Sequence, residues 1–411
     1  MHKVLTELRD REILKDISNE EKFLKLPKNS GVYVGFDPTA DSLHLGNYVQ
    51  IVNLIRFKKH NWNALAVLGG ATGMIGDPSF RSTERVLLSI EELLKNKNKI
   101  KSQLESFGLK VFDNYEIYKD ISFLDFLKNI GKLINVSYML AKDSVKDRLA
   151  QGLSFTEFSY QIIQGYDFLH LYQNQDIFVQ YGGSDQWGNI TTGIEMISKV
   201  VGDNHKAIAI TANLLTDSNG NKFGKSTGGG SLWLDAQKTK PFDMYQFLIN
   251  QPDSEVEKLL KWLTFLGISE IKDLVNKHNK NPKDRLAQKA LAYEVIKDIH
   301  GKSAAENCTF LSEMLFNSSL DLSKVTLENM EFAYSQIESF EVEKGVNLVN
   351  FLVENKILQS RRLAREFIAS KSLKFNYEPI DEDFSVSSNY FEGKYATLHL
   401  GKKKILICKV K

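Results

Sequence analysis

The sequence predicts a mixed α/β protein in which a parallel sheet is followed by a helical region and then by a small basic α+β tail. Three observations lead there. Two short apolar runs bounded by turn residues, Gly31 to Phe36 and Ala64 to Gly70, flank a stretch with helical periodicity from Leu45 to His60, the pattern of a right-handed β-α-β unit with parallel strands. From Pro241 to about Ser318 the chain becomes charged, amphipathic and helical without clear strands. Beyond about Glu341 a basic amphipathic stretch, Ser360 to Ile368, precedes strand-like pieces ending in Lys402-Lys403-Lys404.

Further strands are expected at Ile177 to Tyr181 and Lys206 to Thr211. Ligands collect beyond the carboxyl ends of strands in open parallel sheets, so the segments after these runs are where chemistry is sought. At 411 residues the chain exceeds one ordinary core, and 42% apolar with 25% charged residues is a globular composition. The expected divisions are 1–235, with a helical insertion at about 80–150, then 236–320 and 341–411. A net charge of +2 is near neutral, whereas residues 361–411 hold 11 Lys and Arg against 6 Asp and Glu; nucleic-acid contact is therefore expected from that local patch. Two cysteines 100 residues apart, Cys308 and Cys408, make no disulfide framework and fit a reducing cytoplasm. Neither has a CxxC partner, so no zinc site is expected. No apolar export segment opens the chain and no run approaches the roughly 18 apolar residues of a membrane span, so a cytoplasmic protein without membrane association is expected.

His44-Leu45-Gly46-Asn47 opens the first helix directly after the polar loop Asp37-Pro38-Thr39-Ala40-Asp41-Ser42. A helix N-terminus presents free amides and the positive end of the dipole, and an imidazole there can donate to a phosphate oxygen. Read alone, the tetrapeptide is equally a capping-region histidine. Roughly 180 residues on, Lys222-Phe223-Gly224-Lys225-Ser226 places cations on a loop that Gly220 and Gly228-Gly229-Gly230 allow to move. Such cations can neutralise charge growing on departing pyrophosphate; a solvated lysine loop is the other reading. A P-loop is ruled out because Asn219 stands at its required first glycine. Between the two stretches, Tyr160, Gln164 and Asp167 fall at i, i+4 and i+7 on one helix face. They form either a polar surface stripe or a set that receives a zwitterionic amino acid and its side-chain hydroxyl.

In this order and spacing the two stretches resemble the HIGH and KMSKS signatures of the class I aminoacyl-tRNA synthetases. The loop Asp37 to Leu43, the run Gly69-Gly70-Ala71-Thr72-Gly73-Met74-Ile75-Gly76-Asp77-Pro78-Ser79 and the run Gly183-Ser184-Asp185-Gln186-Trp187-Gly188-Asn189 are similar to the bacterial-type tyrosyl members. The resemblance implies a Rossmann-like catalytic domain, a helical domain of the anticodon-binding type and a C-terminal alpha-L RNA-binding module, the last through Ser360 to Arg365 and Lys371 to Asn376. It implies that Tyr160, Gln164 and Asp77 hold the tyrosine ammonium, that Tyr33 and Asp167 bind its phenolic hydroxyl, and that Gln186 meets its backbone. It places Gly35, Asp37, Thr39, His44, Gly46, Asn47, Gly183, Asp185, Gln186, Lys222 and Lys225 around ATP. The groups implied in catalysis are His44, Asn47, Arg81, Arg85, Lys222, Lys225 and Ser226, and those implied in RNA binding are Arg361, Arg362, Arg365, Lys371 and Lys374. Three positions depart from the usual pattern: Asn47 replaces the second histidine of HIGH, Phe223 replaces methionine, and Arg81 stands where lysine is common. Asparagine can still donate to phosphate, so a modest change in rate is expected.

The implied reaction is tyrosine activation by ATP, with Mg²⁺ on the phosphates, then transfer to tRNA(Tyr), with positioning and cationic stabilisation in place of a covalent nucleophile. Phenylalanine would leave Tyr33 and Asp167 unpaired, and this enzyme class is itself the reference example of that discrimination. A tryptophanyl member shares the signatures but has no need of a hydroxyl-reading Tyr33 and Asp167. A HIGH-bearing nucleotidyltransferase lacks the tail, and a non-catalytic RNA-binding derivative is expected to have lost His44 or Lys225. A homodimer is implied, with an interface expected in the helical insertion from about Ser122 to Asp143.

Overall fold

The computed structural model describes residues 3–79, 87–142, 145–146, 152–216, 223–224, 230–316, 325–387, 390–401 and 404–411. They form two compact units, Met1–Lys238 with Pro252–Ala287, and Thr239–Gln251 with Gln288–Lys411.

The first unit is built on a six-stranded sheet of β1 (Leu14–Ile17), β2 (Gly31–Phe36), β3 (Asn63–Leu68), β4 (Lys110–Asp113), β5 (Ile177–Gly183) and β6 (Ile208–Ala212), in the order β1-β6-β5-β2-β3-β4. All neighbours are parallel except β1, which runs antiparallel to β6. The expected strands are present within two residues at each end. The two edge strands carry no apolar run, and periodicity alone does not reveal them. Strand order reverses between β2 and β5, so a crevice opens there beyond their carboxyl ends, the ligand position of such sheets.

Helices α1 (Lys3–Asp10), α2 (Leu45–Lys59), α3 (Ile90–Ser106), α4 (Phe155–Gln175) and α5 (Trp187–Val201) accompany this sheet. Helix α4 starts on a Ser154 cap whose hydroxyl accepts from the Glu157 amide, and it packs on α5 at close range. A Cβ on Gly193 would lie 2.9 Å from Phe168 Cβ and 3.2 Å from the Gly165 carbonyl oxygen, so only glycine permits this crossing. That contact fixes the helix carrying Tyr160, Gln164 and Asp167.

The later helices are α6 (Pro241–Ile249), α7 (Asp253–Leu263), α8 (Ile268–Lys280), α9 (Leu286–His300) and α10 (Lys302–Phe316), in agreement with the helical reading of this stretch. Within the first unit, α2 is anchored to the end of α7 by a fully buried arginine. Arg56 donates to the carbonyls of Lys261 at 2.9 Å, Trp262 at 3.1 Å and Thr264 at 2.9 Å, and Arg11 adds bonds to Lys261 at 2.9 Å and Leu266 at 2.8 Å. These satisfy carbonyls that a helix end leaves without intrahelical partners. Burial, helped by the nearby Arg11 charge, lowers the Arg56 pKa to about 9.

In the second unit, α11 (Leu327–Gln336), α12 (Leu348–Glu354) and α13 (Arg361–Ala369) accompany a five-stranded sheet of β7 (Ser339–Val342), β8 (Leu373–Phe375), β9 (Glu378–Pro379), β10 (Tyr395–Leu400) and β11 (Lys404–Val410). Its order is β7-β11-β10-β8-β9, with only β7 and β11 parallel. Val342, Leu352, Ala364, Leu373, Leu398 and Leu406 lie in one apolar cluster. The α+β tail is thus a core of its own.

Candidate active site

Four strands, β2, β3, β4 and β5, deliver parts of the site at or beyond their carboxyl ends. Strand β2 is buried except at Gly35, where a Cβ would meet nothing within 4 Å. Open space therefore lies against the backbone at the position expected to meet nucleotide.

One wall is buried and polar. Tyr33 on β2 and Asp167 on α4 are 2% and 3% exposed. Asp167 accepts from Asn114 Nδ2 at 2.9 Å on one carboxylate oxygen and from the Tyr118 hydroxyl at 2.7 Å on the other. Asn114 is held in turn by the Ala71 amide, which donates to its Oδ1 at 2.7 Å, and its Nδ2 also lies 3.3 Å from Thr72 Oγ1. The Thr72 hydroxyl donates to Asp37 Oδ1 at 2.7 Å, and the Tyr160 hydroxyl donates to Asp37 Oδ2 at 2.8 Å. Tyr33, Asp37, Tyr160 and Asp167, named from the sequence, thus meet in one region, while Asn114, Tyr118 and Thr72 were not foreseen. Asn114 follows β4, the edge strand the sequence does not reveal; Thr72 lies within the run Gly69 to Ser79, in which only Asp77 carries an expected role.

Burial pushes the Asp167 carboxyl up to about 7, against the opposing pull of the Asn114 and Tyr118 bonds. Burial, and then the nearby Asp167, raises the Tyr33 phenol well above its ordinary value. The Tyr33 hydroxyl, Gln164 Oε1 and Gln180 Oε1 are buried without a hydrogen-bond partner among the described residues. Each such atom costs about 1–3 kcal/mol unless something bonds to it. These three lie on β2, α4 and β5.

A second cluster lies at the end of β5. Gln186 Nε2 donates to Asp77 Oδ2 at 2.9 Å, the Ser79 amide donates to Asp77 Oδ1 at 3.0 Å, and Asn189 Nδ2 bonds Ser79 Oγ at 3.2 Å and Gln186 Oε1 at 3.2 Å. Asp77, expected at the substrate ammonium, and Gln186, expected at its backbone, are therefore joined. Asp185 lies over Gly183, where a Cβ would stand 2.6 Å from its carboxylate. Thr39 is exposed in the loop after β2, its amide bonded to the Asp37 carbonyl at 2.9 Å.

The start of α2 brings the two distant signatures together. Gly224, with φ of +95°, packs so closely on α2 that a Cβ would lie 3.0 Å from the Gly46 nitrogen. The Leu232 amide donates to the Gly224 carbonyl at 3.0 Å, the Leu45 amide to the Leu232 carbonyl at 2.8 Å, and the Leu234 amide to the Leu43 carbonyl at 2.8 Å. The strip after the lysine loop is thus hydrogen-bonded to the start of α2. His44 is the N-cap: its Nδ1 accepts from the Asn47 amide at 3.2 Å, and Asn47 Oδ1 accepts from the His44 amide at 3.1 Å. That reciprocal cap explains asparagine here, since its carbonyl suits the capping position and its NH₂ still carries donors. Acceptance at Nδ1 also leaves the imidazole proton on Nε2. Arg81, Arg85, Lys222, Lys225 and Ser226 lie outside the described residues.

In the second unit, Arg361, Arg362, Arg365 and Lys371 are exposed and Lys374 is half-buried. Arg365 pairs with Glu382 at 3.0 Å and Arg362 with Glu366 at 3.1 Å, while Arg361 donates to Asn350 at 2.8 Å. The arginines form a displayed but internally partnered face.

The family profile described as "tRNA synthetases class I (W and Y)" matches residues 25–317, and that described as "Tyrosine--tRNA ligase SYY-like C-terminal domain" matches residues 329–408. The chain is 98% identical to the tyrosine--tRNA ligase of Mycoplasmopsis synoviae (strain 53) over 100% of both chains, and 53% identical to that of Mycoplasmopsis agalactiae (strain NCTC 10123 / CIP 59.7 / PG2) over 99% of both. A C-terminally truncated mitochondrial tyrosyl-tRNA synthetase from Aspergillus nidulans superposes with a TM-score of 0.68 at 30% identity, covering 76% of this chain and 94% of that one. The first profile spans tryptophanyl and tyrosyl members alike; the second profile and the relatives separate them, and the chain belongs to the tyrosine--tRNA ligases of the class I aminoacyl-tRNA synthetases.

Proposed function

We propose that tyrosyl-adenylate is made in the crevice between β2 and β5, with the phenolic end of tyrosine against Tyr33 and Asp167 and the nucleotide along Gly35 and the start of α2. The tyrosine carboxylate attacks the α-phosphorus of ATP, the bond to the bridging oxygen breaks, and pyrophosphate leaves. A ribose hydroxyl at the tRNA 3′ end then attacks the acyl carbon and AMP departs. Tyr160, Gln164 and Asp77 receive the ammonium, Gln186 the substrate backbone, and Asp185 the ribose. His44 donates from Nε2 to a phosphate oxygen, while Arg81, Arg85, Lys222, Lys225 and Ser226 complete the phosphate surroundings. ATP enters as its Mg²⁺ complex, with the ion assigned to the phosphates.

The observation that carries this reading is the buried Tyr33 hydroxyl, which has no hydrogen-bond partner among the described residues and lies beside a buried carboxylate. A substrate phenol supplies a hydrogen-bonding group for both, which an indole or a phenyl ring does not.

The tail arginines and lysines are assigned to tRNA phosphates. A second copy of the chain is assigned to the apolar face of the insertion, where Phe123, Leu124 and Val136 are at least 60% exposed, together with Phe155 at the start of α4. A cytoplasmic setting rests on two buried free cysteines. Among the described residues no helix is long and apolar enough to cross a membrane. Leu124→Asp should shift sedimentation to the monomer, and an unchanged mass would remove this face as the interface. Exchange of labelled pyrophosphate into ATP, with tyrosine, tryptophan and phenylalanine supplied separately, tests the pocket. Exchange with tyrosine alone is expected, and exchange with tryptophan would overturn the roles of Tyr33 and Asp167.

A further inference from the structure

Asp167 is held from several elements. Tyr33 faces it from β2, Asn114 and Tyr118 come from the turn after β4 and the short helix Tyr115–Tyr118, Asp37 acts on it from the loop after β2, and Tyr166 stands beside Tyr118 on α4 with ring centroids 6.1 Å apart. Of these, the Tyr118 hydroxyl has two acceptors, Asp167 Oδ1 and the Ile163 carbonyl, each at 2.7 Å. A phenol has one proton, so it serves one acceptor at a time.

The choice follows the charge on Asp167. When the carboxyl is ionised, the phenol proton goes to Oδ1, the stronger, charge-assisted acceptor. When it is protonated on Oδ1, that proton is given to the Tyr118 oxygen and the phenol turns its own proton to the Ile163 carbonyl. Only the first arrangement leaves Asp167 purely an acceptor, with one protein donor on each oxygen and lone pairs left for a third.

We propose that Tyr118 is a positioning residue for amino-acid selection: its hydroxyl orients the Asp167 carboxylate and keeps it ready to accept the hydroxyl of bound tyrosine. This rests on the reading that Tyr33 and Asp167 meet the substrate phenol. It adds a residue that touches the substrate only through Asp167, and whose role depends on protonation. Removing the Tyr118 hydroxyl takes a donor from the carboxylate, so Asp167 holds its proton to higher pH and offers an acceptor less often near neutrality.

The test is tyrosine-dependent pyrophosphate exchange by the whole chain and by Tyr118→Phe from about pH 6.5 to 8.5, below the ordinary range of a free phenol. The variant is expected to show a tyrosine KM raised about tenfold at pH 7, as for loss of one hydrogen bond to a charged group. That KM should fall back toward the parent value as pH rises, with KM for ATP unchanged and preference over phenylalanine reduced. A tyrosine KM within twofold of the parent at pH 7, or a rise equal at every pH, overturns the proposal, as does a parallel rise in KM for ATP, which marks a merely structural loss. Parent exchange with tyrosine alone followed by an unchanged variant overturns Tyr118 only. A parent that exchanges with a different amino acid overturns the Tyr33 and Asp167 reading, and the proposal with it.

Discussion

The pocket around Asp167 and the arginine face of α13 both carry groups that the sequence marks as functional, and they differ in nearly every physical respect. Asp167 is 3% exposed, bonded on both oxygens, and its carboxyl is displaced to about 7. Arg365 lies open to solvent and pairs with Glu382, which is also exposed. In the first setting each polar atom lacks water as an alternative partner, so one missing bond is felt at nearly full strength. In the second, water and salt replace any single contact, so affinity is spread over many weak ones. On the proposed roles, amino-acid selection would rest on few residues and tRNA affinity on many.

Breaking the buried side should give the largest effect. Asp167→Asn is expected to lower kcat/KM for tyrosine by one to two orders of magnitude, about what loss of a charge-assisted bond removes. Stability should move the opposite way. The folded pKa of Asp167 is raised from 3.8 to about 7, so its contribution is full below the unfolded value and disappears as pH rises through about 7. At pH 8 the ionised group burdens the fold. Asparagine bears no charge, can accept from Asn114 and can donate to the Tyr118 oxygen, so the variant should gain roughly 3 kcal/mol over the parent between pH 5 and 8. Thermal denaturation across that range checks it, and a gain independent of pH would count against the buried-carboxylate account.

A smaller effect is expected where the two signatures meet. Gly224→Ala places a Cβ at positive φ and 3.0 Å from the Gly46 nitrogen, a strain of about 1–3 kcal/mol. Adenylate formation should fall about tenfold with tyrosine affinity retained, measured by single-turnover kinetics and equilibrium binding. Smallest of all, Arg365→Ala should weaken tRNA charging about two- to threefold at low salt and less at high salt, leaving pyrophosphate exchange unchanged. A loss above tenfold would make that exposed face as concentrated as the pocket and erase the contrast between them.

The sequence disclosed the deep elements better than the edges. Strands β2, β3, β5 and β6 show as apolar runs because they are covered on both faces. Strands β1 and β4, Leu14–Ile17 and Lys110–Asp113, mix charge with apolar residues at the sheet margins, where periodicity carries little signal. That omission hid Asn114 and Tyr118, which the chain places just after β4. The α4 face of Tyr160, Gln164 and Asp167 was visible because helical spacing is local, whereas its partnership with residues some 50 positions earlier is tertiary. The sequence suggests a phosphate donor at Asn47; that its carbonyl also forms half of a reciprocal cap depends on rotamer and is invisible in composition.

Two buried groups are proposed to read the substrate hydroxyl, and the decisive measurement is the ratio of kcat/KM for tyrosine to that for phenylalanine, compared between the parent chain and Tyr33→Phe. The ratio is expected to fall by at least an order of magnitude in the variant, through loss of tyrosine activity, while KM for ATP holds. An unchanged ratio would mean that the Tyr33 and Asp167 pair does not face the phenol, and that selection lies elsewhere in the crevice.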